Sequence, residues 1–162
     1  MDQRLDQVLM VHSGNGRAQE WRLQSKKQVR DLMSHPVRTL ERNDILSNAD
    51  SVMHNERIRH LPVLDEAGRL VGIISQRDLF LNALVRALGY GTMARDRSFR
   101  SIAVKEVMTE DVVTTTPETP ITAAAQMMVD RKIGCLPVVE SNTLVGILSE
   151  SDIVSAVARG DL

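Results

Sequence analysis

The chain has 162 residues, with 43% hydrophobic and 25% charged residues and a net charge of −1. That length and composition suit one medium domain or two small ones and exclude a disordered tail. The absent basic surplus argues against nucleic-acid binding, and aromatics at 2% leave few stacking platforms for single strands and require an aliphatic core.

Cys135 is the only cysteine, so neither an intramolecular disulfide nor a thiolate metal cluster can form within one chain. The start, Met1 to Met10, is polar and lacks the basic-then-apolar pattern of a signal. No uncharged run is long enough to span a membrane. These features predict a cytoplasmic protein without membrane insertion.

In chain order, residues 1–28 read as an extension, with a loop at Ser13-Gly14-Asn15-Gly16 and a short apolar stripe of Leu5, Val8 and Leu9. From Val29 onward the chain repeats itself. Val29-Arg30-Asp31-Leu32-Met33 returns as Val104-Lys105-Glu106-Val107-Met108. Ile58-Arg59-His60-Leu61-Pro62-Val63 returns as Ile133-Gly134-Cys135-Leu136-Pro137-Val138. Leu70-Val71-Gly72-Ile73-Ile74-Ser75-Gln76-Arg77-Asp78 returns as Leu144-Val145-Gly146-Ile147-Leu148-Ser149-Glu150-Ser151-Asp152. The copies lie about 75 residues apart, with a slip of one residue at a turn.

Each copy opens with a short extended run, Val37 to Leu40 or Val112 to Thr115. A helix follows, with Asp44 as the expected N-cap in the first copy and Thr119, ahead of Pro120, in the second. Ile45, Ala49, Val52 and Met53 share one helical face, as do Ile121, Ala124, Ala125 and Met128. Leu61 to Leu64, the turn Asp65-Glu66-Ala67-Gly68 and Leu70 to Ser75 predict a hairpin; the second copy uses the shorter turn Ser141-Asn142. Leu70 to Ile74 is nearly all apolar, which predicts burial on both faces. A second helix starts after Ser75 and runs to about Ala87; its partner runs from about Ser151 to Ala158. The fold class is therefore α+β, two tandem β-α-β-β-α repeats at 29–87 and 102–158, joined by a basic linker at 88–101. Each repeat alone buries a marginal core, so the two are expected to pack sheet to sheet about a pseudo-two-fold axis.

The paired Leu-Pro-Val and Gly-Ile-Ile/Leu-Ser-x-x-Asp blocks resemble the cystathionine-β-synthase-type (CBS) domain family over about residues 29–158. The resemblance implies an adenine nucleotide or related adenosine ligand in the cleft between the repeats: AMP, ADP, ATP, NAD or S-adenosylmethionine. It also implies a homodimer of repeat pairs. The expected role is a sensor that passes ligand state to a regulated protein, without catalysis, obligatory cofactor or metal. By position, Asp78 and Asp152 become ribose acceptors, a task that suits a carboxylate because it only accepts. Ser75 and Ser149 become their companions.

The adenine walls would be Val37 and Ile58 in the first copy, and Val112 and Ile133 in the second. The backbone near Thr39 and Thr114 would read the adenine edge. Arg59, His60 and Arg77 are the phosphate candidates. The second copy has Gly134-Cys135 and Ser151 at those places, with Arg131 and Lys132 nearby, so the first copy's basic groups are expected to dominate.

Ser-x-x-Asp is equally a capping box that satisfies its own helix, and on that reading the protein is a ligand-independent structural or oligomerisation module. His12, His35, His54 and His60 form no metal-binding pattern, and Cys135 reads as a small core residue.

Overall fold

A computed structural model describes residues 27–82 and 102–162. The expectations for the extension, the basic linker and the far end of the second helix lie outside these residues.

The first repeat contains β1 (Leu40–Glu41), α1 (Leu46–Glu56), β2 (His60–Leu64) and β3 (Leu70–Ser75). Residues 76–82, here α2, are helical. The second repeat contains α3 (Ile121–Arg131), β4 (Cys135–Glu140), β5 (Thr143–Ser149) and α4 (Glu150–Ala158). A 3-10 turn opens each repeat, at Val29–Asp31 and Val104–Glu106. In the first sheet β1 runs parallel to β2, and β2 runs antiparallel to β3. β4 and β5 form the matching hairpin, with Leu136 opposite Leu148 as Leu61 is opposite Ile74.

The opening strands are shorter than expected. Only Leu40–Glu41 pairs, with Val63 and Leu64, and in the second repeat Thr115 alone bridges Val138. Pairing starts where the chain draws level with Val63 or Val138; Thr39 and Thr114 before it remain exposed.

The caps also move by one residue. α1 is entered from Ile45 and α3 from Pro120, neither with a side-chain cap. Asp44 instead accepts the Glu41 N–H at 2.8 Å, and Thr119 Oγ1 accepts that of Thr116 at 3.3 Å. These short side chains close the turn before the helix, a known competition with capping.

β3 is not buried on both faces: Gly72 and Ile74 are buried, while Leu70, Val71 and Ile73 are half-buried. The expected helix faces are buried at Ala49 and Met53 and at Ile121, Ala124 and Met128, with Leu46 replacing Ile45 as the first contact of α1. Ser141 and Asn142 both take left-handed φ, of 48° and 64°, as a tight two-residue hairpin turn requires.

The repeats interlock rather than merely abut. Val29 is fully buried among Ile121, Leu136, Val138 and Leu148 of the second repeat. Ile102, Val104 and Met108 join Leu40, Leu46, Leu61 and Ile74 of the first. Hydrogen bonds follow the same exchange. Ile102 O accepts from Leu46 N at 3.0 Å, and Lys27 O accepts from Ile121 N at 3.1 Å. Each helix thus has one of its free N–H groups satisfied by the other repeat's opening turn. Beyond the turns, Thr109 exchanges two backbone bonds with Ile73, each 2.9 Å, and Ser34 does the same with Ile147 at 2.9 and 3.1 Å. These matched contacts relate the halves by a pseudo-two-fold axis.

Candidate functional site

Both Ser-x-x-Asp sequences sit where a strand ends and a helix begins. In the first, Asp78 Oδ2 accepts from Ser75 N at 2.8 Å and from Ser75 Oγ at 2.6 Å, while Ser75 Oγ receives Asp78 N at 3.3 Å. The second repeats this with Ser149 and Asp152 at 2.8, 2.6 and 3.4 Å. Each is a closed capping box. Only Oδ2 of each carboxylate takes part in the hydrogen bonds among the described residues, which leaves the other oxygen available to accept.

A cleft of about 850 Å³ opens at the seam between the repeats, beside the first box. Ser75, Arg77 and Asp78 line it from the first repeat, together with Arg59 and His60 from the start of β2. Val112, Lys132 and Ile133 line it from the second. The remaining candidates do not line this cleft. Val37, Thr39, Thr114, Arg131, Ser149 and Asp152 lie elsewhere, and Ile58 lines a neighbouring pocket with Arg57 and Arg59. The apolar candidates that share a cleft with Asp78 are thus Val112 and Ile133 of the other copy. The bridge between Thr109 and Ile73 carries the chain after Met108 past β3 towards this cleft.

Residues that the sequence reading did not place in a site also line the cleft: Thr109, Asp111, Gln76, Glu150 and the exposed Phe80, together with Cys135, which was read as a core residue. Gln76 and Glu150 sit beside the motif serines, so proximity to the motif was their one available signal. Nothing in the local pattern marks Thr109 or Asp111.

The seam is crowded at one point. A Cβ at Gly134 would lie 3.3 Å from His60 Cε1 and 3.5 Å from Glu150 Oε2, so the missing side chain makes room for the imidazole. Burial lowers the His60 pKa below its ordinary value of 6.5; Arg59 acts in the same direction, and Asp78 and Glu150 oppose both. Cys135 occupies the matching position in the second repeat. Burial, with the Glu150 charge, pushes its thiol up to about 12. It is a buried neutral thiol rather than a nucleophile. Among the described residues no group of three His, Cys, Asp or Glu side chains is placed to hold a metal ion. No described helix is long and apolar enough to cross a membrane.

Comparison with known proteins places these features. The family model for the CBS domain matches twice, at residues 29–84 and 104–159. The CBS domain-containing protein YhcV of Bacillus subtilis is 31% identical over 125 residues, covering 77% of this chain and 81% of that protein. A homoserine O-acetyltransferase of Methanococcoides burtonii is 35% identical over 126 residues, but the match covers 77% of this chain and only 23% of the enzyme. Among solved structures, the CBS domain pair of protein MJ0100, in complex with 5′-methylthioadenosine and S-adenosyl-L-methionine, is 31% identical. It superposes with a TM-score of 0.66 over 84% of this chain and 98% of that one. Two tandem family matches on an interlocked pair of α+β repeats show that this chain belongs to the CBS domain family.

Proposed function

We propose that this chain is a regulatory module that binds an adenine nucleotide or a related adenosine ligand at the seam and passes its occupancy to another protein. The observation that carries the reading is the composition of the cleft. Ser75 and Asp78 of one repeat face Val112 and Ile133 of the other across a space large enough for a nucleotide. A ligand there touches both halves, so it favours whichever arrangement it fits better, by its difference in affinity for the two. Asp78 can cap α2 through one oxygen and accept a ribose hydroxyl through the other. The bound adenosine compounds of the MJ0100 pair support the ligand class.

The partner in the cytoplasm is a protein of unidentified class, and the module acts as a homodimer. Phe80 and Val154, equivalent positions on α2 and α4, are 64% and 65% exposed, which supports a second copy as the occupant of that face. No obligatory cofactor and no chemistry of its own enter this reading. The acetyltransferase resemblance covers a quarter of that enzyme and supports a shared accessory module.

The closed boxes favour a second reading, in which the motifs only cap helices and the protein is structural. Thermal unfolding with AMP, ADP, ATP, NAD and S-adenosylmethionine separates the two. A ligand at a hundred times its Kd adds about 2.7 kcal/mol. The expected result is a raised midpoint with at least one ligand, abolished by Asp78→Ala. No shift with any ligand at millimolar concentration would leave the capping role alone.

A further inference from the structure

The cleft beside Asp78 carries a balanced set of charges. Arg59, Arg77 and Lys132 face Asp78, Asp111 and Glu150. His60 adds no charge while its imidazole stays neutral. A polyphosphate needs a surplus of cations, since each further phosphate brings more negative charge that must be paired when it leaves water.

Glu150 is the telling residue. It is the first residue of α4, and its N–H donates to Gly134 O at 3.0 Å. Free N–H groups at a helix start ordinarily attract anions, but a carboxylate on the first turn already supplies the negative charge. Its side chain turns to the seam, flanking the same point as the His60 ring. In the first repeat the matching residues are Arg59 and Gln76, an arginine and a neutral amide; in the second they are Gly134 and Glu150, no side chain and a carboxylate. A neighbouring pocket of about 530 Å³ shares Arg59 and Gln76 with this cleft. Arg57, Arg59, His54 and Gln76 line it, and none of its described lining residues is acidic.

We infer, building on the nucleotide reading of this cleft, that the Asp78 site takes an adenosine ligand carrying at most one phosphate, and that Glu150 turns polyphosphates away. An uncharged adenosyl thioether brings no charge to the neutral cleft, and AMP brings the least of the phosphate series. ADP and ATP meet Glu150 and Asp111.

The test is competition for the cleft on the full chain at low ionic strength. 5′-Methylthioadenosine is bound first, then displaced by AMP or by ATP, in the wild type, Glu150→Gln and Asp111→Asn. Glu150→Gln gives the second repeat the residue of the first. The expected result is that AMP displaces the thioether at least about tenfold more effectively than ATP. Glu150→Gln then improves ATP by about tenfold and leaves the thioether within about twofold, the scale of one nearby charge. Asp111→Asn, a change at an exposed loop residue, moves ATP the same way. ATP displacing as well as AMP, or an AMP-to-ATP ratio that neither substitution changes, overturns the inference and leaves the nucleotide reading standing. Failure of all three ligands to bind, with the protein folded, overturns both.

Discussion

The two repeats share a backbone and differ at the seam. Leu61 and Leu136, Gly72 and Gly146, and Asp78 and Asp152 occupy equivalent places with equivalent contacts. Arg59-His60 against Gly134-Cys135, and Gln76 against Glu150, do not. The buried framework is constrained by packing, where a change of one methylene is felt. The seam faces solvent and ligand, so charge there can change without unfolding either half. A fold with two-fold symmetry therefore presents two chemically different faces.

The largest effect is expected in the cores. Leu61→Ala and Leu136→Ala each remove a fully buried side chain, at a cost of about 2–5 kcal/mol. Because each core contains the opening turn of the other repeat, urea unfolding is expected to stay a single transition in both variants. Two separate transitions would show that the halves are independent units, and the comparison would then be between two proteins rather than two faces of one.

A smaller effect tests the two latches. A Cβ at Gly72 would collide with the Met108 sulfur, and one at Gly146 with that of Met33. Gly72→Ala and Gly146→Ala are each expected to cost about 1–3 kcal/mol through overpacking, read as a lowered midpoint of unfolding. Unchanged midpoints in both would mean that the methionines swing aside and do not hold the turns in place.

The smallest effect concerns His60 against Cys135. Burial and Arg59 favour the neutral His60 imidazole in the folded state and lower its pKa, against the opposing charges of Asp78 and Glu150. The unfolded chain takes up this proton more readily, so the contribution is intact above about pH 6.5 and is lost as the pH falls below it. His60→Cys, which copies the second repeat, is expected to flatten the decline in stability between about pH 7 and 5. A decline of the same steepness in the variant would place the acid sensitivity elsewhere.

Much of this arrangement was legible in the residues alone. The repeated blocks located both hairpins, and the Ser-x-x-Asp boxes placed a helix start after each second strand. The turns followed from Gly68 and from Ser141-Asn142. The helix caps were misplaced because Asp44 and Thr119 have a second local use, closing the preceding turn, and short polar side chains do not declare which they take. The double burial of β3 was overread because an apolar run looks the same whether one face or two is covered. The cleft itself was only half visible. Asp78, Val112 and Ile133 were each named from the pattern of their own repeat, but which of them share one cleft depends on how the repeats dock.

By itself the sequence determined the class of the fold, its duplication, the family and the motif carboxylates, because these depend on local pattern and on repetition of that pattern. Only the tertiary structure decided that Val29 and Val104 each complete the other repeat's core. The same exchange brings Thr109, Asp111 and Val112 into one cleft with Asp78, and sets Glu150 beside His60. Those are juxtapositions of residues on different repeats. They depend on how two marginal cores gain stability by sharing their opening turns, and no window of neighbouring residues encodes that.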